Sequence, residues 1–311
     1  MNLRASHEND KPQIIKLLKE SLGEGLLKKS QHIWDFKHGA NPFGKSYIIL
    51  AEENNKLTGV RAFMSWKWQI GETLWQSYRA VDTATHPDYQ GKGIFTKLTR
   101  KAMDAVGAIS PCFIFNTPNE KSRPGYLKMG WKIVAALPLS IVPVPLFWFS
   151  SLFGKKVKNT GITEAELALL CEKHNAELIK TNRLFTPKSP EYLSWRYRHN
   201  PLQEYMVFFD ADWYVAMYCK KHSYFTELRV VEAIYKDQKA LKTVKSLIIQ
   251  KAIANKCLII TLADKKMFTF QLYGKFGPKL TFNLLANDPE FESTALDIRN
   301  WEYSLGDLEL F

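Results

Sequence analysis

A chain of 311 residues is longer than one hydrophobic core usually organises, which predicts two domains of about 150 residues each. With 46% hydrophobic and 13% aromatic residues and no long Pro, Gly or Ser run, the composition excludes a disordered or fibrous chain. Four scattered cysteines without a CxxC pair argue against a metal site and a disulfide framework. The net charge of +12 implies attraction to polyanions without choosing among a nucleotide cofactor, nucleic acid and lipid headgroups.

The first residues, Met1 to Asp10, carry charges with no apolar core behind them, unlike a secretory signal, so a cytoplasmic protein is expected. Helical periodicity over Lys11 to Glu20 and Ser30 to Phe36 precedes alternating β-prone runs at Ser46 to Glu52, Gly59 to Ile70 and Glu72 to Thr85. A long helix follows from Ile94 to Val106, then a buried strand at Cys112 to Asn116, a short helix at Lys121 to Met129 and a strand at Trp131 to Ala136. From Ile133 to Phe153 no residue is charged, a length that would cross a bilayer as a helix. Pro138, Pro143 and Pro145 would each break such a helix, so the stretch reads as a strand followed by an apolar interdomain segment. No membrane span is expected; a peripheral contact through Phe147, Trp148 and Phe153 stays open.

The two halves echo one another. Trp34-Asp35-Phe36-Lys37-His38 matches Trp195-Arg196-Tyr197-Arg198-His199, each ahead of a strand-like run; Cys112 to Phe115 parallels Cys257 to Ile260; and Tyr126 to Gly130 parallels Tyr273 to Gly277. The expected architecture is therefore α/β of the α+β kind. Two related domains, 1–155 and 156–311, would each hold a mixed, mostly antiparallel twisted sheet flanked by helices.

The most informative segment is Ala80-Val81-Asp82-Thr83-Ala84-Thr85-His86-Pro87-Asp88-Tyr89-Gln90-Gly91-Lys92-Gly93-Ile94-Phe95-Thr96. A β-prone run ends, a glycine-bearing turn follows, and a basic helix opens at once. Converging backbone N–H groups and the positive end of the helix dipole suit this turn to phosphate. An ordinary left-handed turn before a helix is the plainer alternative.

This segment resembles motif A of the GNAT superfamily of acyltransferases, whose Gln/Arg-x-x-Gly-x-Gly/Ala core wraps the pyrophosphate of coenzyme A. Gln90 and Gly93 match, while Phe95 replaces the final small residue. Independently, Asn119-Glu120-Lys121-Ser122-Arg123-Pro124-Gly125-Tyr126-Leu127-Lys128-Met129-Gly130-Trp131 is similar to the superfamily's Asn-x-x-Ala-x-x-x-Tyr-x-x-x-Gly-Phe. The resemblance implies a two-domain GNAT-like protein that moves an acyl group, in the first place acetyl, from acetyl-CoA to a primary amine of a small molecule in a ternary complex. It implies that coenzyme A is held by Val81, Thr83, Ala84, Gln90, Gly91, Lys92, Gly93, Ile94, Phe95, Thr96 and Asn119, and that Tyr126 gives a proton to the departing thiolate. A packing tyrosine is the plainer reading of Tyr126. Motif A does not recur in the second half, where Val231 to Ala240 holds no glycine, so that half is expected to bind the acceptor or to be structural, with Tyr273 a packing relic.

The general base is not evident. The family's positions for it are occupied by Val81 and Arg79; Asp82, the nearest carboxylate, is the catalytic candidate beside Tyr126, although its opposite strand parity equally suits a structural residue on the core side. A carboxylate from the second half, a water chain or the chain's C-terminus after Leu308-Glu309-Leu310-Phe311 are the alternatives. The last is by similarity to aminoglycoside acetyltransferases of the enhanced-intracellular-survival type. Two other functions stay open, a Fem-type transferase that uses aminoacyl-tRNA and a non-catalytic coenzyme A-binding protein. No metal and no nucleic-acid partner are expected, and the oligomeric state is not legible.

Overall fold

The computed structural model describes residues 1–23, 29–147 and 163–308. Trp148, Phe153 and the residues 309–311 lie outside that range.

In the first half β1 (Asn2–Ala5) is followed by helices α1 (Lys11–Leu22) and α2 (Gln31–His38), then by strands β2 (Tyr47–Glu53), β3 (Lys56–Ile70) and β4 (Thr73–Thr85). The β2–β3 hairpin closes through Asn54 and Asn55, both at positive φ (52° and 59°), as a two-residue turn of primed type demands. Helix α3 (Ile94–Ile109), strand β5 (Cys112–Asn116), helix α4 (Arg123–Lys128) and strand β6 (Lys132–Ala136) complete it. β7 (Leu139–Pro143) comes next, and the second half supplies β8 (Met206–Asp210), β9 (Trp213–Lys221), β10 (Thr226–Tyr235), β11 (Ile259–Leu262), β12 (Leu272–Gly274) and β13 (Lys279–Leu285).

Two compact units result, and they interleave along the chain instead of dividing at residue 155 as the sequence suggested. One comprises Met1–Ala135 with Lys279–Ile298, the other Ala136–Pro278 with Arg299–Phe311. The reason lies in strand exchange. The first unit's sheet has the order β1-β2-β3-β4-β5-β13-β6, and the second's is β12-β7-β11-β10-β9-β8. β13 pairs with β5 through Thr281↔Asn116 to Leu285↔Cys112, while β7 pairs with β11 through Ile259↔Pro143 to Leu262↔Ser140. Within the apolar stretch read as an interdomain segment, Leu139–Pro143 is thus a strand of the second sheet. Core pairing matches between the units: β2-β3-β4-β5 and β8-β9-β10-β11 each run antiparallel, antiparallel, parallel. The third sequence echo does not hold structurally, since Tyr126 lies on a helix and Tyr273 on the edge strand β12, where it is about half exposed.

In the first unit, α1 and α2 cover one face of the sheet with Ile14, Leu17, Leu18 and Trp34 against Leu50, Val60 and Ala84. On the other face α3 presents Ile94, Leu98, Ala102 and Val106, a stripe at four-residue spacing, to Ile49, Phe63 and Ala80. Gly59 lets α3 approach, because a Cβ there would lie 2.7 Å from Ile94 and 2.8 Å from Leu98. No helix among the described residues is long and apolar enough to cross a membrane.

The four cysteines are free thiols. Cys219 and Cys257 nonetheless approach to 3.9 Å between sulfurs, a proximity that their spacing in sequence did not suggest.

Candidate functional site

Among the described residues, β4 has a strand neighbour on both sides only from Gln76 to Arg79. Gln76 to Arg79 pair in parallel with Cys112 to Phe115 of β5, whereas Ala80 to Thr85 pair with β3 alone. The two strands therefore part beyond Arg79, and one edge of β4 is left without a backbone partner from the sheet.

The glycine turn lies at the end of that edge. Gly91 and Gly93 adopt φ of 76° and 73°, and a Cβ on either would meet nothing within 4 Å. They serve a left-handed backbone around open space. Gly93 is the N-cap of α3 and offers no side chain, so the leading N–H groups of this 16-residue helix are left for an anion. Lys92, Lys97, Arg100 and Lys101 are all exposed around it, with Lys92 Nζ 4.5 Å from the Tyr89 ring centre. Gln90 donates from Nε2 to the carbonyl of Thr85 at 3.3 Å, tying the turn to the strand end. Ile94 is buried under the sheet and Thr96 half-buried on the first turn of α3.

Phe95 points at α4. Its ring stands edge-on to Tyr126 at 5.4 Å between centroids and fills the space over Gly125. Tyr126 is buried between Phe95 and Trp131, and its hydroxyl accepts a hydrogen bond of 2.8 Å from Arg61 Nη2. Arg61 Nη1 in turn donates to Thr83 Oγ1. Thr83, Phe95 and Tyr126, far apart in sequence, thus meet around one guanidinium that sequence reading had missed. The available signal was a single charge in the run Leu57 to Trp66.

Asp82 and Ala84 go to the opposite face. The β3–β4 register slips between Arg61 and Ala62, leaving Asp82 as a bulge residue at φ 40° and reversing the alternation. Its carboxylate binds Lys37 Nζ and, at 2.9 Å, His38 Nε2, while His38 Nδ1 lies 2.8 Å from Ser46 Oγ. Burial works to raise the Asp82 carboxyl, but the Lys37 charge and the His38 hydrogen bond outweigh it and hold it well below the usual carboxylate range. Burial pushes His38 down, so the ring is neutral and Nε2–H donates to Asp82. A carboxylate so paired makes a poor proton acceptor near neutral pH, which removes the basis for reading Asp82 as the base. Val81 is buried, and Ala84 packs among the α1 side chains, leaving its backbone alone for a ligand. Asn119 spends its Oδ1 on the Ser122 amide (2.9 Å) and hydroxyl (3.0 Å), shaping the turn into α4. The C-terminal carboxylate considered as a base lies outside the described residues.

Among the described residues, the second unit repeats the acid, not the loop. Glu232, next to the β10 bulge residue Val231, accepts from Tyr197 at 3.1 Å and pairs with Lys188 at 2.8 Å, and Lys188 also meets Asp307 at 2.7 Å. Tyr197 lies in the segment that echoes the end of α2. An acid at or next to the bulge that ties down a helix is therefore a feature of both units, independent of the glycine turn.

Residues 2–134 match the acetyltransferase (GNAT) domain family. No curated protein sequence matches the chain. Among solved structures, a GCN5-related N-acetyltransferase from Anabaena variabilis ATCC 29413 aligns at 10% identity with a TM-score of 0.66, over 92% of this chain and 73% of that one. Another from Kribbella flavida aligns at 13% identity and TM-score 0.65, over 91% and 71%. Eis1 from Mycobacterium abscessus aligns at 12% identity and TM-score 0.56, over 94% and 75%. Identities this low speak to the fold.

Proposed function

From the match of residues 2–134 to the acetyltransferase (GNAT) domain family, we propose that the chain is a GNAT acyltransferase that transfers an acetyl group from acetyl-CoA to a primary amine of a small molecule. The observation that carries this reading is the parting of β4 from β5 directly before an uncapped, glycine-turned helix N-terminus. A long ligand with an amide-bearing arm and a pyrophosphate needs an unpaired strand edge beside an anion cradle, and the first unit has both.

The residues present fit coenzyme A. The N–H groups from Gly91 to Phe95 and the exposed Lys92 and Lys97 would hold the pyrophosphate, and the edge at Val81 to Thr83 would hold the arm. Coenzyme A supplies an acyl group activated as a thioester and a thiolate as leaving group. Tyr126 holds a phenolic proton for that sulfur, and binding both partners in one site makes the attack effectively intramolecular. Asp82 serves as a counter-ion, and the base is left to a group elsewhere. The second unit, which has no glycine at Val231 to Ala240 where the motif would recur, binds the acceptor or stabilises the first. Amino sugars, aminoglycoside-like compounds and amino acid derivatives are the acceptor class, and the four free thiols suit a reduced compartment, the cytoplasm.

The test is thiol release from acetyl-CoA against a panel of primary amines, native beside Tyr126→Phe. The reading expects turnover by the native chain and a loss of kcat of about a hundredfold to ten-thousandfold in the variant, with coenzyme A affinity retained. A native chain that binds coenzyme A but turns over no amine contradicts it.

A further inference from the structure

Arg61 is an anomaly in β3. It is fully buried, with a relative exposure of 0%, yet it forms no ion pair among the described residues, and its Nε has no hydrogen-bond partner. A buried charge without a counter-ion is costly. Part of that cost is offset by an aromatic cage, since the rings of Tyr126, Phe63 and Phe95 stand 5.1, 5.2 and 5.4 Å from Arg61 Cζ. Phe95, the residue that departs from the family's small one, is therefore one wall of this cage.

The hydrogen bonds fix a direction. A guanidinium can only donate, so in the 2.8 Å contact Tyr126 Oη is the acceptor and its own proton points elsewhere. The second anchor of Arg61 is Thr83, on the part of β4 that has already left β5. The pair thus stands at the edge of the gap between these strands.

We infer that Arg61 is a positioning residue for proton delivery by Tyr126: it fixes the hydroxyl as an acceptor, so that the phenolic proton faces the gap, and its uncompensated charge stabilises the oxygen as that proton leaves. The inference rests on the proposed acyl transfer. In that step the nitrogen–carbon bond forms as the carbon–sulfur bond breaks, the phenolic proton passes to sulfur, and the phenoxide stays beside Arg61 until the proton lost by the amine returns through solvent. The absence of a carboxylate partner is what this role requires, because a paired guanidinium would have less charge to offer.

The experiment compares the native chain with Arg61→Met, Arg61→Lys and Tyr126→Phe. Its readouts are thermal melts, calorimetry with coenzyme A, the ring Cζ resonance of Tyr126 in tyrosine-labelled protein, and thiol release from acetyl-CoA with the amine panel or with water. Arg61→Met is expected to bind coenzyme A within about threefold of native, to displace the Tyr126 Cζ resonance, and to slow thiol release about a hundredfold with KM for acetyl-CoA unchanged. Arg61→Lys, which keeps the charge and loses the fork, restores part of the rate. Should Arg61→Met fail to fold, a lowered kcat at unchanged KM in Arg61→Lys gives the same support. An Arg61→Met, or failing that an Arg61→Lys, with native kcat beside a slow Tyr126→Phe overturns the inference and leaves the acyl-transfer reading standing. A Tyr126→Phe with native kcat removes the proton donor itself.

Discussion

Phe95 and Gly125 are a matched pair: a Cβ on residue 125 would sit 2.9 Å from Phe95 Cε1. The bulky residue at 95 is thus accommodated by a missing side chain on α4, and its ring is directed at that helix. What looked in the sequence like a defect in the loop is a packing solution beneath it.

Gly125→Ala is accordingly expected to destabilise the protein by about 1–3 kcal/mol through overpacking, despite the better helix propensity of alanine. In a Phe95→Ala background the same substitution becomes neutral or stabilising. Denaturant unfolding of the two single variants and the double variant measures the coupling, and additive effects would contradict the pairing.

Asp82→Asn keeps the shape and the tolerance of positive φ, but leaves Lys37 beside a neutral amide in a largely buried site. Breaking such a pair typically costs about 3–5 kcal/mol. Because Asp82 is a counter-ion, variant protein held below its lowered Tm retains substantial kcat. Loss of turnover in folded protein would return Asp82 to the list of bases.

Stability is expected to fall as the medium is acidified, in two stages. His38 is depressed in the fold, so its contribution is complete above the unfolded value, roughly pH 6.5, and is lost as pH falls below it. Asp82 is likewise depressed, and its contribution is complete above roughly pH 4 and lost below. Melting temperatures of native and His38→Asn protein between neutral and acid pH measure the His38 share, since the variant keeps only the part of the first stage supplied by His174, which burial also pushes down, to about 4.

In the second unit, Lys188→Met leaves Glu232 and Asp307 buried together. Burial raises the Glu232 carboxyl, and Lys188 is the charge that opposes this. The expected loss is again about 3–5 kcal/mol. Adding Glu232→Gln to Lys188→Met should recover part of it, and equal stability of the single and double variants would show that the cluster is not coupled.

Much of the fold was legible because it rests on local signals. Alternation placed β2 to β4 within a few residues, Cys112 to Asn116 was read without error, and Gly91 and Gly93 marked a turn that only glycine adopts at no cost. The exchange of β7 and β13 was not legible, since a strand's own sequence does not say which sheet it joins. The orientation of Asp82 was not legible for a similar reason: its parity relative to Val81 assumes a regular ladder, and the bulge that reverses it leaves no sequence mark. Arg61 was visible as a lone charge in an apolar run, but its meaning depends on Tyr126, 65 positions away.

Calorimetric titration with coenzyme A tests the central claim most directly. The account predicts one site per chain, abolished by Gly93→Glu, which places both a Cβ at φ 73° and a negative charge at the N-terminus of α3. Two equivalent sites, or unchanged binding by a folded Gly93→Glu protein, would contradict it.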